Sequence, residues 1–423
     1  MMPRAKSTSA GWLARNIDLR GGHRRDALRA RIGAVLAALD APTATDAASK
    51  VLVSTLADRL ATADSCERWL TLSALSGTTV LPRDVLAATR TTLLDGPLEI
   101  LSSALVTPNL SSSRGERRWP EVEIMTGKIL VDLQHTAQTS FATGIQRVAR
   151  ETTRRWSERH DLVLVGWSSR YDHLRLLSPA ERDRALHGSR GQSAVGRAES
   201  KVVIPWRGTL LIPELGAEPV RTRSVGSIAQ FSRCGVSAIG FDCVPVTSAE
   251  TVAVGMGGAF SLNLAAMAKV SRIAAISEGA ATEYRGWRQM LAAAGTTGPE
   301  ISSVSLPTEA PEPSESAMAE ARARLQIIAH PLVLVVGSHE PRKNHLAVLH
   351  AAELLWREGL VFNVVFVGGN SWNSELFVRR LNELRNDGRP SRRRGTVTRS
   401  QGRRFGRSDS GRRRFRKLPL ADA

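Results

Sequence analysis

The chain has little cysteine, and its three thiols follow no recognisable framework. Cys66, Cys234 and Cys243 are an odd, scattered set without the short-interval pairs of a metal site. A disulfide scaffold or a zinc site of the finger type needs such pairs. The sequence therefore predicts no metal centre, and the cysteine usage fits a reducing compartment.

Long apolar runs are also missing. No stretch approaches the roughly 18 apolar residues that a bilayer-spanning helix needs. The first 20 residues carry charge but no apolar segment of the signal-peptide type. The sequence therefore predicts a cytoplasmic protein, and peripheral contact with the inner face of the membrane is left open.

Acidic residues are scarce near the C-terminus, and this concentrates the charge. The net charge is +18 over 423 residues, and residues 389–417 supply +12 of it through twelve Arg, one Lys and one Asp. The rest of the chain is mildly basic. With 42% hydrophobic and 23% charged residues, the composition is that of a globular protein with room for two or three domains.

The most informative stretch is VLVVGSHEPRKNH, residues 333–345. Its β-branched run predicts a buried parallel strand, followed by Gly337, a polar loop and a helix from Asn344. Ligands bind at the carboxyl ends of strands in open α/β sheets, and helix N-termini attract phosphate. Arg342 and Lys343 add two positive charges there. A diphosphate site and an ordinary Gly-Ser turn beside two surface cations both remain open from these residues alone.

The string EPRKNH after a strand and VG resembles the nucleotide-sugar-binding half of retaining glycosyltransferases of family 4, the group 1 type. Many of these enzymes are mannosyl- or rhamnosyltransferase-like. The resemblance implies that Lys343 contacts the donor phosphates with help from Arg342, and that Gly337 and Ser338 belong to the same phosphate site. It says little about the sugar.

A second motif begins an earlier α/β domain. Residues 128–133, KILVDL, predict a buried strand, and residues 143–148, TGIQRV, enter a helix that reaches about residue 159. Gly144 either admits a ligand close to the backbone or permits a tight turn. The G-x-G-x-x-G spacing of a dinucleotide site is absent. TGI-x-R-V recurs in the same family, and the resemblance implies that Gly144 faces the donor diphosphate across the interdomain cleft.

A third segment supplies the candidate catalytic residue. Residues 236–246, VSAIGFDCVPV, predict a strand and a loop with Asp242 at their junction. The segment resembles the family's YDLIP-type motif, although Phe241 and Cys243 replace the more usual residues. Asp242 could orient acceptor or sugar hydroxyls, and a capping aspartate is the equal alternative. No catalytic nucleophile is evident, which suits the front-face mechanism inferred for the family.

The resemblance implies an α/β protein of the GT-B class, with two Rossmann-like domains, the second incomplete, after a helical extension. The predicted parts are a helical N-terminal extension at 1–122, an acceptor-side Rossmann-like domain at 123–306, a hinge at 307–330, a partial nucleotide-sugar donor domain at 331–388 and an Arg-rich tail at 389–423.

The donor domain is predicted to stop early. Full-length relatives continue with further βα units and a loop holding two glutamates seven residues apart, whereas this sequence has no Glu after Glu383. A frameshift near residues 388–391 is the favoured explanation, which would make the tail out-of-frame or disordered. The alternative is a genuine basic arm for nucleic acid or an anionic surface.

The expected function is retaining transfer of a mannose-like sugar from a nucleotide-sugar donor to a glycan, a lipid-linked acceptor or another hydroxyl. The donor is a substrate, and no cofactor is expected. The shortened chain itself could be inactive. The alternative hypothesis is a non-catalytic binding protein on a glycosyltransferase scaffold, with the Arg-rich tail as its binding arm. Nucleic acid is the less favoured partner, because the tail interrupts a half-built sheet.

Overall fold

The computed structural model describes residues 10–19, 22–41, 43–44, 47–106, 120–139, 143–188, 201–307, 312–325, 330–386 and 397–400. The chain divides into two compact units. The first holds residues 1–249 and 255–308, and the second holds residues 250–254 and 309–423.

Six described helices precede the first strand of the first unit. They are α1 (Ala10–Asp18), α2 (Gly22–Ala38), α3 (Ser49–Ala61), α4 (Ser65–Ser76), α5 (Pro82–Asp95) and α6 (Pro97–Val106). Apolar side chains at helical spacing on α2, from Leu28 to Leu39, are almost fully buried. Asp64 caps α4 by accepting a 2.9 Å hydrogen bond from the amide of Glu67, and Gly77 ends that helix in the left-handed conformation.

These helices share one hydrophobic core with the sheet that follows. Arg31 of α2 is fully buried and donates to the carbonyl oxygens of Leu75, at 2.8 Å, and Pro120, at 2.6 Å. The indole of Trp69 donates to Ser227 Oγ, 3.0 Å away on a later helix. The N-terminal helices therefore belong to the same compact unit as the sheet.

The sheet of the first unit has nine described strands in the order β1-β5-β4-β3-β2-β6-β7-β8-β9. All neighbours pair in parallel except β4, which is antiparallel to β3 and β5. The strands are β1 (Val122–Thr126), β2 (Ile129–Asp132), β3 (Leu162–Trp167), β4 (Leu174–Leu176), β5 (Val202–Trp206), β6 (Thr209–Ile212), β7 (Gly235–Gly240), β8 (Arg272–Ala275) and β9 (Glu300–Ser303).

Helices cover both faces of this sheet. Leu130 and Val131, neighbours on β2, belong to two different cores because successive strand residues point to opposite faces. The helices that follow β1 are α7 (Gln134–Gln138), α8 (Gly144–Ser157), α9 (Pro179–His187), α10 (Pro219–Phe231), α11 (Val244–Thr247), α12 (Met256–Met267) and α13 (Glu278–Ala293). The α/β class predicted from the sequence is confirmed.

The order of the strands locates a crevice in the first unit. After β2 the chain moves to β3 on one side, and after β6 it moves to β7 on the other side, although β2 and β6 are neighbours. Such a reversal opens a crevice at the carboxyl ends of the two strands, where open α/β sheets bind ligands. The carboxyl ends of β2 and β6 are therefore the natural place for a site.

The second unit contains a parallel sheet with the order β10-β11-β12. One face carries a core of Leu349, Ala352, Val364, Phe366, Phe377 and Leu381. The described elements are α14 (Glu315–Leu325), β10 (Leu332–Val336), a 3-10 turn (Pro341–Lys343), α15 (His345–Arg357), β11 (Asn363–Val367), α16 (Glu375–Asn386) and β12 (Val397–Ser400).

The third strand of this sheet was not predicted. Residues 397–400 pair in parallel with β11, inside the segment assigned to an Arg-rich tail. Val397 and Thr398 are β-branched and favour a strand, but four residues among many Arg give too short a pattern to recognise. The rest of the tail, and with it the frameshift and basic-arm interpretations, lies outside the described residues.

None of the helices in the described part of the chain is long and apolar enough to cross a bilayer.

Two glycines bring the ends of β10 and β11 into contact. A Cβ added to Gly368 would lie 1.8 Å from the carbonyl oxygen of Gly337. The amide of Gly337 donates to the carbonyl oxygen of Val367 at 2.9 Å, and its φ of 147° lies in a region that favours glycine. The two loops can therefore approach this closely only without a side chain at position 368.

Replacing Gly368 with Ala should destabilise the second unit by about 3 kcal/mol or more, because the added methyl meets backbone that cannot move aside cheaply. Gly369→Ala is the matched control, since a Cβ there would lie more than 4 Å from every residue in the described ranges. Hydrogen exchange of the β11 amides in the full chain measures the difference. Equal protection in the two variants would contradict the contact.

Candidate functional site

The loop between β10 and α15 holds four of the six residues predicted for the site. Gly337 follows β10 directly, Ser338 comes next, and Arg342 and Lys343 form the short 3-10 turn before α15. A Cβ on Gly337 would lie 2.7 Å from Lys343 Nζ. The ammonium group of Lys343 therefore rests on the backbone at the carboxyl end of β10.

A buried carboxylate holds the two cations of this loop in place. Glu340 accepts a 3.0 Å hydrogen bond from Arg342 and lies 3.7 Å from Lys343 Nζ. Its side chain is 5% exposed, whereas those of Arg342 and Lys343 are 41% and 37% exposed. One carboxylate cannot neutralise two cations, so the loop keeps a net positive charge that faces solvent. The amino end of α15 adds to this positive potential.

Two histidines pack beneath the same loop. The amide of His339 donates to the carbonyl oxygen of Gly369 at 2.9 Å, and His345, the first residue of α15, is 3% exposed. The His345 ring lies 5.1 Å from that of Phe377 and 5.6 Å from that of Phe366. Burial, assisted by the charge of Lys343, lowers the pKa of His345. The loop therefore packs against a group of aromatic side chains, and the imidazole of His345 is neutral at pH 7.

Gly144 lies in the first unit, as the first residue of α8. Thr143 caps this helix by accepting a 3.3 Å hydrogen bond from the amide of Gln146, and the side-chain oxygen of Gln146 accepts one of 3.1 Å from the amide of Thr143. A Cβ on Gly144 would meet none of the described residues within 4 Å. The local packing therefore does not require glycine at this position, and close approach of a ligand remains a prediction.

Asp242 follows β7 and is exposed. Its Oδ1 accepts a 3.2 Å hydrogen bond from the amide of Val244, at the start of α11. It is a local turn contact just before α11, whose N-cap residue is Cys243. The carboxylate also lines a cavity, so this contact and an orienting role toward a bound hydroxyl are compatible.

The cavity beside Asp242 lies at the carboxyl ends of β6, β7 and β8 and has a volume of about 60 Å³. That exceeds the roughly 10–15 Å³ needed for one water molecule. Its wall is mainly apolar, and its polar members are Glu214, Asp242, Asn263 and Tyr284. A Cβ on Gly240 would lie 2.6 Å from Tyr284 Cε2, so glycine lets the tyrosine ring pack against β7.

A buried ion cluster lies in the crevice between β2 and β6. Arg221 of α10 is 1% exposed and donates from Nη2 to Asp132 Oδ2 and to Glu214 Oε1, both at 3.0 Å. The indole of Trp167 also donates to Asp132, at 2.6 Å. Burial opposes the charge of Arg221, but the two carboxylates prevail and raise its pKa. Arg221 therefore stays charged in the core.

Glu214 connects this cluster to α7. Its two carboxylate oxygens accept hydrogen bonds from the amide of His135, at 2.7 Å, and from the amide and hydroxyl of Thr136, at 2.9 and 2.8 Å. Because α7 leads toward Gly144, the cluster fixes the start of the segment that carries the predicted glycine.

The cluster ends at a half-exposed pair. His135 Nε2 lies 2.8 Å from Glu218 Oε1, and the side chains are 35% and 23% exposed. The hydrogen bond to Glu218 is the main reason that the pKa of His135 is raised. Burial opposes the charge of Glu218, but His135 and a backbone hydrogen bond lower its pKa to about 2. The pair is therefore ionic at mildly acidic pH.

The residues of this cluster were not predicted from the sequence. Asp132 ends β2, and Glu214 and Glu218 follow β6 in the string PELGAEP. Acidic residues after two neighbouring parallel strands are a recognisable signal, because the carboxyl ends of such strands meet at one edge. The partner, Arg221, could be identified only from the fold. In the described part of the chain, no three His, Cys, Asp or Glu side chains are grouped to hold a metal ion.

No protein-family model matches the chain. The chain is similar to three sequences of the serotype-specific mannosyltransferase WbdA of Escherichia coli, with 26–27% identity over 272 residues. The similar region covers 60% of this chain and 31–32% of WbdA, so the chain spans about a third of the length of these relatives. The crystal structure of Anabaena Alr3699/HepE in complex with UDP matches 65% of this chain and 69% of that chain, with 10% identity and a TM-score of 0.38.

Replacing Arg221 with Met should destabilise the first unit by about 3–5 kcal/mol, because two buried carboxylates would lose their counter-ion. Arg223→Met is the matched control on the exposed side of α10. Urea unfolding of the three proteins measures the effect, and a variant at 221 as stable as the control would contradict it.

Glu218 should make the free energy of unfolding depend on pH in the acidic range. Its folded pKa of about 2 lies below the ordinary value of 4.5, so the carboxylate stabilises the fold above pH 4.5 and loses this contribution as the pH falls toward 2. The stability advantage of the unaltered chain over Glu218→Gln should therefore decrease between pH 6 and pH 3. Asp161→Asn, at an exposed ion pair, should show no comparable trend. A difference at position 218 that is constant over this range would refute the ionic pair.

Proposed function

We propose that this chain acts in glycosyl transfer, moving a mannose-like sugar from a nucleotide-sugar donor to a hydroxyl acceptor with a GT-B arrangement of two Rossmann-like domains. Two findings support the proposal. The chain is similar to mannosyltransferase WbdA over 60% of its length. It also divides into two compact units, each with a sheet whose neighbouring strands are parallel, except at β4 of the first unit.

The observation that carries the proposal is the position of Lys343. Its ammonium group lies on Gly337 at the carboxyl end of β10, beside Arg342 and the amino end of α15. Transfer of a sugar from a nucleotide diphosphate leaves growing negative charge on the departing phosphate. Cations and amides already held in place stabilise that charge without a large reorganisation. Glu340 keeps the two cations in place before a ligand binds, because its buried carboxylate contacts both of them.

The proposal assigns roles to the residues of the first unit as well. Gly144 admits the donor diphosphate to the amino end of α8, where the backbone amides carry positive potential. Asp242 uses its remaining acceptor capacity to orient a hydroxyl of the sugar or of the acceptor. Retention at the anomeric carbon is part of the proposal and depends on the resemblance of the EPRKNH and TGIQRV segments. Nuclear magnetic resonance of the first-formed product would test it.

A glycan or lipid-linked acceptor follows from the same proposal. It would place the chain in polysaccharide assembly on the cytoplasmic side of a membrane, with peripheral contact to the membrane surface where a lipid-linked acceptor is used.

Donor binding provides the decisive test. Calorimetric titration of the full chain with GDP-mannose, UDP-glucose and dTDP-rhamnose should detect at least one donor. Lys343→Ala should weaken that donor about tenfold or more, since a hydrogen bond to a charged group contributes about 1.5–3 kcal/mol.

Arg357→Ala is the matched control for this test. It removes one exposed positive charge from the same unit, at the far end of α15, and should leave donor affinity unchanged. Failure of all three donors to bind, or equal affinities for the Lys343 variant and the control, would contradict the proposed function.

A further inference from the structure

The cavity beside Asp242 contains hydrogen-bonding groups that the described part of the chain leaves unused. Tyr284 of α13 lines it and is 5% exposed, and no described residue forms a hydrogen bond with its hydroxyl. Asn263 of α12 also lines it and is 8% exposed. The side-chain nitrogen of Asn263 donates to the carbonyl oxygen of Gly216 at 2.9 Å, and its side-chain oxygen has no partner among the described residues. Because buried polar groups are nearly always hydrogen-bonded, both groups need a partner from outside the chain.

The rest of the wall determines which ligand can enter. Ile145, Phe241 and Phe260 are among its apolar members, and none of the described residues that line it is Lys, Arg or His. Its charged members are the carboxylates of Glu214 and Asp242. The cavity therefore repels a phosphate and favours a neutral ligand that combines apolar carbon with hydroxyl groups.

The unused groups are suited to a hydroxyl. Oδ1 of Asp242 accepts from the amide of Val244, whereas Oδ2 has no partner among the described residues and, like the Asn263 oxygen, can accept. The Tyr284 hydroxyl can donate or accept. Burial is the main reason that the pKa of Tyr284 is raised, so this hydroxyl keeps its proton at neutral pH. A ligand hydroxyl can thus donate to one of these groups and accept from another.

The size of the cavity limits how much of a ligand it holds. Its volume of about 60 Å³ has room for roughly four water-sized groups, at about 15 Å³ for each. A hexose ring with all its hydroxyls is larger than this, whereas one exocyclic group fits. The hydroxymethyl group of a hexose has one carbon for the apolar wall and one hydroxyl for the polar groups.

We propose that this cavity is the subsite for the hydroxymethyl group of a neutral hexose, with Tyr284 and Asn263 binding its hydroxyl. This inference rests on the proposed function and deepens the role of Asp242, whose exposed carboxylate then orients a ring hydroxyl of the same sugar. An acceptor sugar and the sugar of a nucleotide donor both carry this group. Ile145, next to Gly144, lines the cavity, so either sugar is compatible with the roles proposed above.

Two pairs of sugars that differ in one hydroxyl test the subsite. They are methyl α-D-mannopyranoside with its 6-deoxy analogue, and GDP-mannose with its 6-deoxy analogue. In titrations of the full chain followed by nuclear magnetic resonance, the hydroxymethyl sugar should bind about three- to tenfold more tightly than the deoxy sugar, because the deoxy sugar leaves the buried groups unpaired. Tyr284→Phe should weaken the hydroxymethyl sugar by a similar factor and should discriminate less between the two sugars.

Tyr171→Phe is the matched control. It removes the hydroxyl of the other tyrosine in the chain, which lies outside the wall of the cavity. This variant should bind both sugars of each pair as the unaltered chain does.

Thermal unfolding separates the proposed role from a structural one. Tyr284→Phe keeps the ring that packs against Gly240 and removes a hydroxyl that no described residue binds. The variant should therefore unfold at the same temperature as the unaltered chain or at a higher one. A lower unfolding temperature together with unchanged sugar binding would identify a structural hydroxyl and overturn the subsite.

The outcomes also identify the source of the sugar. An effect of Tyr284→Phe on the mannoside alone assigns the cavity to the acceptor, and an effect on GDP-mannose assigns it to the donor sugar. If the two tyrosine variants behave alike toward both pairs, or if neither hydroxymethyl sugar binds the unaltered chain, the subsite is overturned. If the mannoside results are as expected but no nucleotide sugar binds, the subsite stands and the proposed glycosyl transfer fails.

Discussion

The first unit depends on one buried cation. Arg221 compensates Asp132 at the end of β2 and Glu214 after β6, so it joins the two strands at which the chain reverses direction across the sheet. Burying three charges is costly unless each is paired and hydrogen-bonded, and here each is. The hydrogen bonds that the same carboxylates accept from Trp167 and from the start of α7 help to offset the free-energy cost of burying these charges. The ion cluster therefore fixes the positions of the groups that line the crevice between β2 and β6.

In the second unit, the charged groups lie at the surface, in the loop after β10. One buried glutamate contacts two half-exposed cations, so these cations are fixed without being neutralised, as the proposed phosphate site requires. The absence of a side chain at Gly337 leaves room for the ammonium group of Lys343, and the absence of one at Gly368 lets the two loops approach each other. Backbone proximity and side-chain charge therefore act together, and neither loop would have this shape with larger residues.

Local patterns in the sequence were sufficient for the chain's class and for one site. The continuous apolar runs at 333–336 and 128–133 each predicted a buried strand, and both are strands that pair in parallel. Burial is confirmed for β2 but was wrong for β10, where Val333, Leu334 and Val336 are 42–67% exposed. Gly337, Ser338, Arg342 and Lys343 are neighbours along the chain, so a short loop was bound to bring them together. By contrast, β12 escaped prediction, since four residues among arginines carry no usable periodicity.

The sequence by itself determined the α/β class, the loop after β10 and the helical start, because each depends on interactions within about a dozen residues. Only the tertiary structure decided the Asp132–Arg221 and His135–Glu218 pairs, because the two members of each pair are separated by more than 80 residues in the chain. A charged residue in a sequence does not reveal its partner, since the pairing follows from the strand order. Burial then determines whether such a pair is a solvated surface contact or an ionised cluster in the core.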